Sequence, residues 1–214
     1  MLRNDHIQQL SKIWHTVPQK ISRHHLQINP KRFLELAQSL CQQPNGEVEI
    51  FQKGQDRAWL KGPPQKTLSI LHQALLTKLV VIRQVQHMPE FHSLTRTVQD
   101  TFGGLVTLNL YHNASMNSGF PPHYDPHNLL IAQLCGSKVW RLAPPTQQYP
   151  SSFNPNHPQK ESAFTNTFVL NEGDLLYIPW GWWHKAEPQE TSIHMSVGIR
   201  NMPLFELKAQ FAPK

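Results

Sequence analysis

Two side chains of metal-binding type stand two residues apart in His123-Tyr124-Asp125. On an extended segment, residues i and i+2 project from one face, about 7 Å apart along the backbone. Both can therefore converge on one metal ion. A neutral imidazole and a carboxylate suit Fe(II), Mn(II) or Zn(II). The pair alone is a weak signal in a chain with 13 histidines. A second segment strengthens it. Gly173-Asp174-Leu175-Leu176-Tyr177-Ile178-Pro179 reads as a turn, an apolar strand and a bend, and Trp180-Gly181-Trp182-Trp183 then delivers His184. Two histidines and one carboxylate form a facial triad, which leaves metal positions open and is characteristic of non-haem Fe(II) oxygenases. A structural zinc site would fill four positions with protein ligands.

Lys138 follows the turn at Gly136 and starts a strand, fifteen residues after His123. A lysine pointing into a barrel needs a negative partner, because an unpaired buried ammonium is costly. The far carboxylate of a dicarboxylate cosubstrate would supply one, while a keto-acid end chelates the metal. Thr107, Asn109 and Tyr111 offer polar groups from one face of a neighbouring strand, and His194 and Ser196 share a face on the last strand. His194 is either a satisfied core residue or a wall of the site. Tyr124, between the two ligands, faces away from them. Trp140, Trp180, Trp182 and Trp183 are expected to pack, since indoles bury large areas. His24, His25, His112, His127 and His157 are expected on the surface or in loops.

The elements that must hold these groups are legible in part. Ile7, Leu10, Ile13 and Trp14 follow helical spacing. Asn29-Pro30 reads as an N-cap with proline at N1, opening a helix through Leu40. Glu47 to Phe51 alternates as a short strand. Thr67 is expected to cap a helix to about Lys78, Leu79–Val85 to form a strand, and Pro89 to open a helix ending at Gly103-Gly104. From Leu105 the period becomes two, with strands expected at Leu105–Tyr111, Pro122–Pro126, Asn128–Leu134, Lys138–Leu142, Thr167–Asn171, Asp174–Ile178 and Thr191–Arg200. Pro144 to Thr165 reads as a long polar loop of the kind that borders a site.

The 214 residues carry 39% hydrophobic and 16% charged side chains. That is too apolar for a disordered chain, and no apolar run is long enough to span a membrane. The N-terminus has no apolar core of a signal peptide. Cys41 and Cys135, the only cysteines, make no disulfide framework, so a reducing cytoplasmic setting is expected. The net charge of +6 is spread without a basic stretch. It reads as an ordinary basic surface, so nucleic acid is not the expected substrate.

Taken together, Asn109-Leu110-Tyr111, Gly119-Phe120-Pro121-Pro122-His123-Tyr124-Asp125, Gln133 to Trp140, Gly173 to Pro179, His184 and Met195-Ser196-Val197-Gly198 resemble the JmjC/cupin-4 family, with most similarity to its ribosomal oxygenase branch. The resemblance spans about residues 70–200. It implies a mainly β, double-stranded β-helix (jelly-roll) with flanking helices: residues 1–66 as a helical and short-strand region, 67–200 as the catalytic core and 201–214 as a tail. It implies Fe(II) held by His123, Asp125 and His184, and 2-oxoglutarate with its distal carboxylate on Lys138. Asn109, Tyr111, His194 and Ser196 would lie near the cosubstrate or substrate. The activity implied is hydroxylation of a protein or peptide side chain, coupled to decarboxylation of 2-oxoglutarate to succinate and CO2. About 14 residues follow Arg200, so the helical dimerisation region and winged helix of that branch are not expected. The substrate therefore stays open to a small metabolite or a ribosomally made peptide, and a non-catalytic metal-binding sensor is a further alternative. A homodimer through the N-terminal helices is an expectation by fold analogy.

Overall fold

The computed structural model describes residues 4–21, 24–51, 58–114, 119–147, 149–150 and 164–201. Among the described residues, eleven strands fall into two antiparallel sheets. The larger holds β1 (Gln19–Ile21), β2 (Glu47–Phe51), β3 (Ala58–Trp59), β4 (Leu79–Arg83), β5 (Leu105–Asn113), β6 (Asn128–Cys135), β9 (Leu175–Ile178) and β11 (Ser192–Arg200), in the order β1-β9-β6-β11-β5-β4-β2-β3. The smaller is β10 (Trp183–Pro188), β7 (Lys138–Ala143) and β8 (Asn166–Leu170), in that order.

Period-two alternation gives the large sheet two different faces. On β11, Ile193, Met195, Val197 and Ile199 join the main core, while Ser192, His194 and Ser196 point the other way. On β6, Leu130, Ala132 and Leu134 belong to the same core, and Leu129 and Ile131 to a second one. The first core is closed by helices: α2 (Pro30–Cys41) through Phe33, Leu36 and Ala37, α3 (Pro64–Thr77) through Leu71 and Ala74, and α4 (Pro89–Phe102) through Phe91 and Val98. α1 (Asn4–Ile13) adds Leu10. The second core packs Leu129, Ile131, Leu176 and Ile178 against Trp140, Leu142 and Leu170 of the smaller sheet. The space between the sheets is thus apolar toward β9 and polar toward β5 and β11, which sets where a site can lie.

Several elements match the expectation and a few depart from it. Asn29 caps α2, its Oδ1 accepting from Arg32 N at 2.9 Å. Helix α3 begins at Pro64 rather than Thr67, because proline fits the first turn. Thr67 instead bonds back to the carbonyls of Pro63 and Pro64 from inside the helix. β4 ends at Arg83, where Gln84 adopts φ 56° and Val85–His87 forms a 3-10 turn. The 67 boundary falls inside α3, and β1, β2 and β3 from the first 66 residues pair into the large sheet. Pro122–Pro126 is not a strand. It makes one isolated bridge, His123 to His184, since Pro122 and Pro126 have no N–H for a ladder. β10 was not expected, and it carries His184. Gly136 takes φ 64°, and a Cβ there would lie 2.3 Å from Thr191 O, so glycine alone fits this turn.

Candidate active site

The bridge that replaces the expected strand brings the first and last candidate ligands together. His123 N donates to His184 O at 3.1 Å and His184 N to His123 O at 2.7 Å. Their rings sit 4.3 Å apart between centroids. His123, Asp125 and His184 each offer a donor atom, and these atoms lie within 4.8 Å of one another. His184 Nε2 is 3.5 Å from Asp125 Oδ2. Both rings are oriented from behind: His123 Nδ1 donates to Pro121 O at 2.9 Å and His184 Nδ1 to Trp182 O at 3.0 Å. A carbonyl only accepts, so Nδ1 carries the proton in each and the lone pair stays on Nε2. Burial, with His123 beside it, pushes His184 down to about 4. Burial alone would raise Asp125, but His127, His123, His184 and Arg83 around it hold it below the ordinary carboxylate value. Two neutral imidazoles and one carboxylate fit a divalent ion such as Fe(II).

From these three residues a cavity runs inward between the sheets. It has an empty volume of about 480 Å³, counting its open mouth. Leu129, Ile131 and Trp140 form apolar walls, and Tyr111, Ser196 and His194 a polar side. At its floor lies Lys138, 0% exposed. Lys138 Nζ donates to Asn113 Oδ1 at 2.5 Å and shares a hydrogen bond of 2.6 Å with His194 Nδ1. Among the described residues these neutral groups are its partners. Burial therefore holds the amine well below the usual lysine range. Two further donors on cavity-lining residues, Asn113 Nδ2 and Trp140 Nε1, are buried without a partner among the described residues. Such orphans cost free energy unless a ligand meets them. A carboxylate beside Lys138 and Asn113 would give the lysine a charged partner, so the floor fits the far end of a dicarboxylate such as 2-oxoglutarate.

The JmjC domain family matches residues 81–207, more than half the chain. The chain belongs to that family. Curated relatives include mouse Ribosomal oxygenase 2, 34% identical over 115 residues (52% of this chain, 25% of the relative). Human Ribosomal oxygenase 1 is 36% identical over 107 residues (47% and 16%). The Drosophila persimilis bifunctional lysine-specific demethylase and histidyl-hydroxylase NO66 is 32% identical over 120 residues (55% and 18%). Among solved structures, the Escherichia coli ribosomal oxygenase YcfD, in complex with cobalt and 2-oxoglutarate, superposes with TM-score 0.69 at 21% identity, covering 95% of this chain and 54% of that one. That likeness gives the double-stranded β-helix fold. The chain spans a quarter or less of these curated relatives and about half of YcfD.

Within this JmjC domain the expected site residues separate into groups. His123, Asp125, His184, Lys138, Tyr111, His194 and Ser196 all line one cavity. His194 is at once buried and part of the wall, stacked on Tyr111 with centroids 4.6 Å apart and planes at 7°. Asn109 stands behind the wall. Its Oδ1 accepts from Gln84 N at 3.0 Å, and its side chain also bonds that of Tyr111, whose hydroxyl burial pushes up to about 12. Tyr124 packs against Trp183. Trp180 and Trp183 are buried and donate to Pro150 O and Thr146 Oγ1, so the start of the 144–165 loop braces them, while residues 148 and 151–163 of that loop lie outside the described residues. Contrary to expectation, His112 and His24 are buried, and His127 is half-buried; His25 is exposed and His157 lies outside the described residues. His112 sits on the core face of β5 with Leu108 and Leu110. His24 earns no surface position because Nε2 donates to Gln133 O at 3.1 Å. Asn113 was missed, although it continues the alternation of Asn109 and Tyr111.

Proposed function

We propose that the chain is an Fe(II)- and 2-oxoglutarate-dependent oxygenase that hydroxylates an unactivated C–H bond of a protein or peptide side chain. The observation that carries this reading is the pairing of two features in one cavity. Three candidate ligands converge at the mouth, and a buried lysine with orphaned donors waits at the floor. Membership of the JmjC domain family supports it, as do relatives named oxygenases and a histidyl-hydroxylase. The same names favour a protein over a small metabolite as substrate.

In this reading His123, Asp125 and His184 hold the iron and Lys138 and Asn113 hold the distal carboxylate of 2-oxoglutarate. When bound, ferrous iron and 2-oxoglutarate supply O2 activation coupled to decarboxylation to succinate and CO2, the chemistry that converts a C–H bond to an alcohol. The protein contributes placement. The carbonyls of Pro121 and Trp182 aim both imidazoles. A carboxylate beside Lys138 favours the charged form of the lysine, which burial alone disfavours. Leu129, Ile131 and Trp140 exclude water from the middle of the cavity. Tyr111 stays protonated and rigid between His194 and Asn109. A cytoplasmic location completes the reading, supported by Cys41 and Cys135 being unpaired.

The test is succinate formation by the purified chain with Fe(II), ascorbate and 2-oxoglutarate, first alone and then with ribosomal-protein fractions. Iron-dependent succinate and a product heavier by one oxygen atom are expected. Failure to bind either a divalent ion or 2-oxoglutarate would overturn the proposal.

A further inference from the structure

Asn128 opens β6 and is 0% exposed, yet it does not line the cavity. Its Oδ1 accepts two hydrogen bonds, from Tyr177 OH at 2.8 Å and from Trp180 N at 3.2 Å. The Tyr177 hydroxyl accepts in turn from His15 N at 2.8 Å, and its ring is stacked on Trp14 with centroids 5.2 Å apart. The Asn128 oxygen therefore sits between the end of α1 and the turn at Trp180-Gly181-Trp182.

That turn touches both sides of the candidate metal centre. Gly181 N donates to Asp125 O at 3.1 Å, fixing the backbone that carries the carboxylate. Trp182 N closes the turn on Pro179 O at 3.2 Å, and Trp182 O receives Nδ1 of His184 at 3.0 Å. One residue of the turn thus orients Asp125 and the next orients His184. The residue before them, Trp180, is the one whose amide Asn128 holds.

We infer that Asn128 is a positioning residue for the metal centre, acting through the Trp180-Gly181-Trp182 turn on Asp125 and His184. The inference rests on the metal-binding reading above. Its chemistry follows from the side chain: a carbonyl oxygen has two lone pairs and meets two donors here, which neither an apolar side chain nor a shorter hydroxyl at this place reproduces. Without that acceptor the Tyr177 hydroxyl and the Trp180 amide are left without their shared partner, and the turn is released from β6. Partners standing behind metal ligands typically change affinity 10- to 100-fold when removed.

The test measures Mn(II) affinity by electron paramagnetic resonance for the unaltered chain, Asn128→Ala and Asn128→Asp. Asn128→Ala is expected to bind at least tenfold more weakly. Asn128→Asp keeps an oxygen for both donors but buries a carboxylate and loses the Nδ2 contact to His15 Nδ1 at 3.4 Å, so it is expected to bind less tightly than the unaltered chain and more tightly than Asn128→Ala. Amide hydrogen exchange gives the second readout. The Gly181 amide should exchange faster in Asn128→Ala while the amides of β11 keep their protection; a general structural role would accelerate both alike. Equal Mn(II) affinity in Asn128→Ala, or uniform loss of protection, overturns the inference. If Asn128→Ala does not fold, Asn128→Ser replaces it in the same comparison with Asn128→Asp and is read by the same criteria. Absence of Mn(II) binding in the unaltered chain would instead sink the metal centre itself, whereas binding that Asn128→Ala leaves unchanged sinks only the role of Asn128.

Discussion

Lys138 Nζ lies 2.6 Å from His194 Nδ1, at the floor of a cavity whose mouth is ringed by His123, Asp125 and His184. Burial, and Lys138 after it, hold His194 well below the usual histidine range, so the ring is neutral, and it stacks on Tyr111. The lysine is held by neutral partners in a place where a charge is costly. A bound carboxylate makes the charged form favourable. Replacing Lys138 by Ala removes a charge-assisted hydrogen bond of about 1.5–3 kcal/mol, so 2-oxoglutarate affinity should fall roughly 10- to 100-fold. Lys138→Arg keeps the charge and should retain part of it. Titration calorimetry with 2-oxoglutarate and Mn(II) reads this directly. Unchanged affinity in Lys138→Ala would assign the distal carboxylate to another group.

His184 Nε2 and Asp125 Oδ2 approach to 3.5 Å. The carboxylate carries the only formal negative charge among the three candidate ligands. Asp125→Asn keeps the shape and removes the charge, and His123→Ala removes one nitrogen donor. Both should abolish iron-dependent succinate formation and weaken Mn(II) binding by at least about tenfold. Chelation of the unaltered chain should do the same reversibly, with activity returning on Fe(II) addition. Turnover in purified His123→Ala matching the unaltered chain would remove the assignment.

Much of this architecture is readable from alternation. β6 and β11 announce themselves because every second residue is apolar, and α2 because Asn29-Pro30 caps it. Elsewhere the local signal is weak. β10 reads Trp-His-Lys-Ala-Glu-Pro, a run with no apolar period that becomes a strand only by pairing with β7. β1 and β3 have three and two residues, too few for any period to show. The candidate ligand pair needed no strand, since two backbone bonds between His123 and His184 align it. Asn113 and His112 were both within reach of the same reasoning. Extending the Asn109, Tyr111 alternation by one step finds Asn113 in the cavity, and extending Leu108, Leu110 finds His112 in the core. The role of Asn128 was not readable, because its partners lie 49 and 52 residues away in sequence.

Gly181 takes φ 80°, and a Cβ on it would lie 2.8 Å from Pro150 Cδ. An alanine there meets two costs: about 1–2 kcal/mol for a left-handed non-glycine backbone, and displacement of Pro150, whose carbonyl accepts from the Trp180 indole. Gly181→Ala should therefore lower Tm by roughly 2–8 °C for a chain of this length. Gly62, with φ 138°, has no atom closer than 3.9 Å to such a Cβ, so Gly62→Ala carries backbone strain without the clash. A Gly181→Ala variant as stable as the unaltered chain would show that the turn yields freely.

His112 is 2% exposed on the core face of β5, its ring 5.4 Å from that of Phe33. Burial, and Lys138 after it, push its pKa from 6.5 to about 4. The unfolded chain thus binds a proton on this residue between about pH 6.5 and pH 4, while the folded chain does not. Stability contributed by the neutral side chain is present above pH 6.5 and is lost as the pH falls through that window, at up to about 1.4 kcal/mol per pH unit. Other buried histidines with lowered pKa act in the same direction, among them His24 and His194. The contribution of His112 is isolated by urea unfolding of the unaltered chain and His112→Leu at intervals from pH 7 to pH 4. The variant should show the shallower decline, and its stability relative to the unaltered chain should rise steadily with acid. Parallel curves would mean that His112 accepts its proton in the folded state.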